Sequence, residues 1–184
     1  MGNPRVAFFE FTSCEGCQLQ VSNLDEKLAE LIGVVDIVTF REVMSEKSDQ
    51  YDVAIVEGSI TRESEIPRLK KIRERAKVLV AIGACATLGG INCMKNFKDL
   101  ETVKRIVYGE KADKFDTILA RPLEAVVKVD YKVHGCPIME DEFIEVVSSI
   151  LLGKTPNIPD YPVCVECKMK ENVCRFHVGE YCLG

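Results

Sequence analysis

Residues 77–85 read K-V-L-V-A-I-G-A-C, and this stretch decides the fold predicted for the chain. The apolar run that begins at Val78 predicts a buried strand, which stops at Gly83. Cys85 follows just beyond the end of this strand. The position of a cysteine directly after a buried strand raises the question of whether other strands end in the same way.

Two further strands predicted from the sequence are also followed by a cysteine. Residues 5–11 form a short apolar run before Cys14, and residues 129–134 form another before Cys136. Other strands are predicted at 34–40 and 51–56, and helical patterns at 18–32, at 62–76 and from Phe143 to Leu151. Buried strands separated by helical segments of this length imply βαβ units, and hence an α/β fold with a parallel sheet.

In such a sheet the carboxyl ends of the strands lie at one edge, where ligands bind. Cys14, Cys85 and Cys136 are therefore expected to converge there, with Cys17 one helical turn beyond Cys14. Four thiolates at one edge predict a metal or cluster site. Nearby glycines would let backbone N–H groups approach the sulfur atoms: Gly16, Gly83, Gly89, Gly90 and Gly135.

Composition excludes several classes of protein. Apolar residues make up 47% of the 184 residues, and the net charge is −5. This acidic balance leaves no basic field for a general nucleic-acid binder. The N-terminus lacks the apolar region and cleavage site of a signal peptide, and the longest apolar runs, such as 78–86, are too short to cross a bilayer. We therefore expect a cytoplasmic protein without membrane insertion.

Nine cysteines in a cytoplasmic chain need an explanation, because a reducing compartment does not favour disulfides. A Cys-x-x-Cys pair can be a redox dithiol, half of a zinc site or two ligands of an iron–sulfur cluster. A dithiol would leave Cys85 and Cys136 unexplained, and zinc usually binds two close pairs of ligands. Buried structural cysteines are a further alternative, and Cys93 fits that description best.

The tail contains the other four cysteines, Cys164, Cys167, Cys174 and Cys182, within 19 residues. Their spacing suits one compact centre, either a zinc ion or an iron–sulfur cluster. His177 is an alternative tail ligand, whereas His134 is expected to be hydrogen-bonded scaffolding rather than a ligand. We divide the chain into a domain of residues 1–153 and a small, irregular cysteine-rich segment of residues 154–184.

Five motifs together resemble a known family. They are T-S-C-E-G-C-Q-L-Q, V-E-G-S-I, G-A-C-A-T-L-G-G-I, Y-K-V-H-G-C-P and Y-P-V-C-V-E-C-K. The chain resembles the small, electron-transferring subunit of cytosolic nickel–iron hydrogenases, a branch that includes the archaeal sulfhydrogenase delta subunit and the methyl-viologen-reducing hydrogenase small subunit.

The resemblance implies a flavodoxin-like, doubly wound sheet and two 4Fe–4S clusters. Cys14, Cys17, Cys85 and Cys136 would hold the proximal cluster, and the four tail cysteines the second. This chain would itself be non-catalytic and would relay electrons between the metal site of a large subunit and further electron-accepting subunits. The V-E-G motif also indicates that Glu57 and Glu15 help to shape the interface with the large subunit or a route for protons. The simpler alternative for each is a glutamate that is solvated or caps a helix.

Two departures qualify the resemblance. The small cluster subunit of respiratory complex I shares the fold but has two adjacent cysteines in the first motif, where this chain has Ser13 and Cys14. The hydrogenase branch is therefore favoured. Relatives also continue beyond C-L-G with cysteines for another cluster, so we expect the sequence to be truncated at Gly184. A complex I-like subunit or a stand-alone metal-binding or redox-sensing module is the alternative.

Overall fold

The computed structural model describes residues 3–24, 33–159 and 161–182. Its centre is a five-stranded sheet in which every neighbouring pair is parallel. The strands are β1 (Arg5–Glu10), β2 (Asp36–Thr39), β3 (Val53–Glu57), β5 (Val78–Ile82) and β7 (Tyr131–Val133). Their order, β2-β1-β3-β5-β7, is that of a flavodoxin-like doubly wound sheet. The predicted fold class is confirmed.

A second, two-stranded antiparallel sheet was not predicted from the sequence. It pairs β4 (Ile60–Arg62), which follows β3 almost directly, with β6 (Thr117–Arg121). These strands are short, and their partners are more than 50 residues apart, so no local pattern indicates the pairing.

Helices connect the strands of the parallel sheet, and two further helices follow its last strand. They are α1 (Gly16–Ser22), α2 (Glu65–Arg75), α3 (Gly83–Leu88), α4 (Leu100–Tyr108), α5 (Glu140–Leu151) and α6 (Val163–Met169), with 3₁₀ segments at Gly90–Phe97, Gly109–Lys114, Leu123–Ala125 and Arg175–Val178. The helix predicted over 18–32 falls partly on residues 25–32, which lie outside the described residues. α4 was not predicted.

The core consists of two apolar layers, one on each face of the parallel sheet. On one face Phe8 stacks on Phe40, with ring centroids 4.1 Å apart, and α5 covers this layer through Phe143. On the other face Ala54 and its neighbours pack against α2. All five residues of β3 are buried, because helices cover the central strand on both faces.

The segment from 161 to 182 contains α6 and one 3₁₀ segment, and all of its side chains are exposed except that of Cys167, which is partly buried. Before it, the chain remains attached to the parallel-sheet domain: the Asn157 N–H donates to Glu145, and Ile158 packs against the core. In the part of the chain that the structure describes, no helix is long and apolar enough to cross a membrane.

Candidate metal centre

Three strand ends and one helix position the four cysteines of the first predicted site. Cys14 lies in the loop after β1, and Cys17 lies in the first turn of α1. Cys85 is the third residue of α3, which begins where β5 ends, and Cys136 follows β7. Cys17 is buried and Cys85 partly buried, whereas Cys14 and Cys136 are exposed. All four therefore lie at the carboxyl edge of the parallel sheet.

The loops that carry these cysteines contact one another. The Ala84 N–H donates to the Gly135 carbonyl oxygen over 2.7 Å, which joins the β5 and β7 ends. Burial raises the pKa of the Cys85 thiol, and the neighbouring Cys136 and then Cys14 raise it further. Across residues 3–24, 33–159 and 161–182, however, no three Cys, His, Asp or Glu side chains are arranged to hold one metal ion.

The surroundings of the sulfur atoms fit thiolate ligands. The backbone N–H of Ile91 acts to lower the pKa of Cys85, and that of Ile138 acts to lower the pKa of Cys17. The Asn92 amide nitrogen also lies 3.8 Å from the sulfur of Cys85. N–H donors directed at sulfur stabilise thiolates and tune the potential of iron–sulfur clusters. The donor set and its hydrogen bonds therefore suit an iron–sulfur cluster.

At two positions a glycine, which has no side chain, leaves room for these sulfur atoms. A Cβ atom at Gly83 would lie 2.4 Å from the Cys17 sulfur, and one at Gly90 would lie 2.8 Å from the Cys85 sulfur. Both glycines have positive φ values, +80° and +57°, which side chains rarely adopt. Glycine at these two positions therefore lets the backbone pass close to the sulfur atoms.

Glu57 anchors the helix that carries Cys17. Its carboxylate, at the end of β3, is 2% exposed and accepts the backbone N–H groups of Cys17 (3.2 Å) and Gln18 (3.0 Å). Burial raises the pKa of Glu57, although the two N–H groups oppose that shift. Burial, followed by the Glu57 charge, raises the pKa of Cys17 to about 12. Without metal, Cys17 is therefore a thiol at neutral pH, and ligation must displace its proton.

Glu15, the other glutamate of this region, precedes α1 with φ +62° and makes no side-chain capping hydrogen bond. Burial and then the neighbouring Glu42 raise the pKa of Glu15. Within the described residues, the capping contacts to α1 therefore come from Glu57 and not from Glu15.

Two residues occupy structural positions beside the site. The Cys93 sulfur lies 3.5 Å from the Ala120 carbonyl oxygen and packs against Gly89. His134 places Nδ1 3.0 Å from the Thr87 hydroxyl, a contact that suits scaffolding.

Sequence reasoning missed Asn92. Its amide donates to the Thr12 carbonyl oxygen and to the Ser59 hydroxyl, each over 2.9 Å, and it approaches Cys85. It thereby joins the loops after β1, β3 and β5. Its partners are up to 80 residues distant, so only its place between two cysteine-bearing motifs could have drawn attention to it.

The tail cysteines are separated from the sheet edge in the chain and lie in an exposed segment. Cys164 and Cys167 are three residues apart on α6, and Cys174 precedes the 3₁₀ segment that leads toward Cys182. Cys167 is partly buried and the other three are exposed. Their assignment to a second cluster stays a prediction.

Residues 14–150 match the family model described as "NADH ubiquinone oxidoreductase, 20 Kd subunit". The chain belongs to this family. Sulfhydrogenase 2 subunit delta of Pyrococcus furiosus is 34% identical over 92% of this chain and 71% of that protein. NAD-reducing hydrogenase HoxS subunit delta of Cupriavidus necator is 27% identical over 86% of this chain and 83% of that protein.

A solved structure shares the fold of this family member. It is the crystal structure of an NAD⁺-reducing [NiFe]-hydrogenase in the H₂-reduced state, with a TM-score of 0.74 and 24% identity over 86% of this chain and 97% of the matched chain. The predicted resemblance to the small subunits of nickel–iron hydrogenases is confirmed by the two relatives.

Proposed function

We propose that this chain is the electron-transfer subunit of a nickel–iron hydrogenase. It relays electrons between the metal site of a large subunit and downstream electron-accepting subunits in the cytoplasm. The proximal 4Fe–4S cluster is assigned to Cys14, Cys17, Cys85 and Cys136, and the second to the four tail cysteines. The observation that carries the proposal is that three strand ends, each followed by a cysteine, meet at one sheet edge, where Asn92 and the Ala84 N–H join their loops.

Within this proposal the chain provides position and electrostatics. A 4Fe–4S cluster bound here supplies one-electron transfer. Glu57 holds the first turn of α1 and so orients Cys17. Asn92 joins three of the loops, and the N–H groups of Ile91 and Ile138 favour the thiolate forms of the ligands. Rigid loops of this kind hold the ligands in place and tune the potential of the bound group.

The hydrogenase assignment is preferred to a quinone-reducing one within the family. The first motif has Cys-x-x-Cys where the complex I relative has adjacent cysteines, and the two relatives described above are named as hydrogenase subunits. A stand-alone redox module predicts no large subunit in the purified material. Co-purification therefore separates that alternative from the proposed function.

Metal analysis of anaerobically purified full chain tests the cofactor. Two Cys₄-ligated cubanes correspond to about eight irons and eight acid-labile sulfides per chain. Stoichiometric zinc with little iron would show that these are zinc sites.

A pair of cysteine variants tests the ligand assignment. We expect Cys85→Ser to remove the proximal cluster, with about half the iron lost, because it removes one of four thiolates. Cys93→Ser is the matched control, since the Cys93 thiol hydrogen-bonds only to backbone carbonyls among the described residues. It should retain the iron and the hydrogen-linked dye reduction of the complex. Equal iron loss in both variants would refute the assignment.

A further inference from the structure

A cavity of about 580 Å³ opens beside the cysteine loop. The strand order places the reversal of the doubly wound sheet between β1 and β3. Residues that follow these two strands, including Phe11, Thr12 and Thr61, line the cavity. Crevices at this point of an open α/β sheet are where ligands bind, and the volume lies in the range of small-molecule sites.

The cavity is lined by five cationic side chains together with three glutamates, Glu10, Glu15 and Glu65. Its lining includes Arg41, Arg62, Arg68, Lys95 and Lys104. Four of these cations have carboxylate partners: Arg41 and Arg68 pair with Glu10, Arg62 with Asp116, and Lys104 with Glu101. Lys95 is the exception, because its ammonium group has no hydrogen-bond or ion-pair partner within the described ranges.

The environment of Lys95 leaves its ammonium group short of acceptors. The side chain is partly buried, and this burial lowers the pKa of Lys95. Glu65 supplies the largest compensating charge, but its oxygens already accept the Thr61 N–H (2.8 Å), the Arg62 N–H (3.1 Å) and the Thr12 hydroxyl (3.2 Å). A partly desolvated cation without an acceptor would gain from an anionic ligand.

The cavity also has an apolar part, which contains aromatic rings. Leu100, Val103 and Val107 of α4 line it together with Tyr108 and Phe115, whose rings stack with centroids 3.9 Å apart. α4 is unusual in that it buries Lys104 while Val107 is 64% exposed. The apolar side of this helix therefore faces open space at the cavity instead of the core.

We propose that this cavity binds a small organic anion, a phosphate or carboxylate attached to a flat apolar body. Lys95 contacts the anionic group, and the α4 wall with Tyr108 and Phe115 covers the apolar body. The proposal is independent of the cluster assignment, because none of the eight assigned cysteines lines the cavity.

Calorimetric titration of the anaerobically purified full chain tests this site. The probes are phenyl phosphate, benzoate and inorganic phosphate, so that phosphate and carboxylate sources are distinguished and the ring is tested separately. We expect saturable binding of one equivalent of an aromatic anion. Phenyl phosphate should bind about tenfold more tightly than inorganic phosphate, because its ring is removed from water against the apolar wall.

Three substitutions locate the binding. Lys95→Met should weaken the preferred aromatic anion about 10- to 100-fold, which is the range for loss of a charge-assisted hydrogen bond. Lys95→Arg should retain most of the affinity, because it restores the charge. Lys98→Met is the matched control, since Lys98 is exposed and does not line the cavity. Iron content is measured in each variant, so that loss of the cluster is recognised separately.

Two results would overturn the proposal. The first is the absence of saturable binding of phenyl phosphate and of benzoate at millimolar concentration. The second is equal affinity in the unaltered chain and Lys95→Met, which would place the bound anion elsewhere on the surface.

Discussion

Gly83 lies where the backbone of the β5 end meets the sulfur of Cys17. We expect Gly83→Ala to lower the free energy of unfolding by about 2–4 kcal/mol and to reduce the iron content. The added Cβ would lie 2.4 Å from that sulfur, and φ is +80°; strain of this kind costs about 1–3 kcal/mol before any steric overlap is counted. Urea unfolding and iron analysis measure the two effects.

Alanine substitutions at two other glycines serve as controls that distinguish backbone strain from steric overlap with sulfur. Among the described residues, Gly153 has φ +64° with no atom within 4 Å of an added Cβ, and an added Cβ at Gly33 likewise meets no atom within 4 Å. Gly153→Ala should cost about 1 kcal/mol and retain the iron, and Gly33→Ala should change neither quantity. If Gly83→Ala behaved like Gly153→Ala in both measurements, contact with the Cys17 sulfur would not be what requires glycine.

At the scale of elements, Asp130 joins β5, β7 and α2. Its carboxylate accepts the Leu79 N–H over 2.9 Å and Arg73 over 2.5 Å, just before β7 begins. Burial acts to raise the pKa of Asp130, but these hydrogen bonds and the Arg73 and Lys128 charges outweigh it, so the pKa lies below its ordinary value of 3.8. The ionised carboxylate is therefore favoured by the fold.

We expect Asp130→Asn to lower the free energy of unfolding at pH 7 by about 1–2 kcal/mol, because a charge-assisted hydrogen bond is weakened. Because the folded-state pKa is depressed, this contribution is fully present above the unfolded pKa and is lost as the pH falls through the folded one. Urea unfolding from pH 7 to pH 3 should show the difference constant above about pH 5 and shrinking below about pH 4.

Asp113→Asn is the control for this pH dependence, because Asp113 is exposed and makes no hydrogen bond or ion pair within the described ranges. Its unfolding free energy should follow the unaltered chain at every pH. A difference between Asp130→Asn and the unaltered chain that grew toward pH 3 would contradict the depressed pKa.

At the scale of the whole molecule, the apolar residues that flank the cysteines divide into two groups. Phe11, Ala86 and Ile138 are 8%, 1% and 3% exposed and belong to the core. Leu19 and Leu88 are 47% and 65% exposed at the same edge. Of these five residues, Leu19 and Leu88 are therefore the two that a partner protein can contact.

We expect Leu19→Glu and Leu88→Glu each to reduce co-purification of a large subunit about tenfold while retaining the iron. The physical reason is the desolvation of a charge inside an apolar interface. Quantitative pull-down and iron analysis provide the two measurements. Loss of iron with the partner still bound would show that these side chains cover the cluster instead.

Leu152→Glu is the matched control, because Leu152 is 67% exposed but lies at the far end of α5. Twelve helical residues separate it from Met139 near the cysteine edge, a distance of about 18 Å. The partner should therefore be retained in this variant.

The parallel strands were predictable because each is a short apolar run ended by a local signal, as at Val78–Ile82 followed by Gly83. The placement of cysteines after strand ends was predictable for the same reason. Asn92 and Lys95 were not, because their roles depend on groups that belong to distant segments. α4 was predictable, because Leu100, Val103 and Val107 follow helical spacing after the Asp99 cap, but this local pattern was overlooked.

The sequence by itself determined the α/β class, the edge at which the cysteines gather and the resemblance to hydrogenase small subunits, because these depend on local hydrophobicity and on ordered motifs. Only the tertiary structure decided that Glu57 anchors α1 and that Phe11 belongs to the core. It also decided that the Lys95 ammonium group has no acceptor among the described residues and lines a cavity together with apolar residues of α4. Burial and pairing of this kind arise where segments far apart in sequence meet. A local sequence pattern does not predict which segments those are.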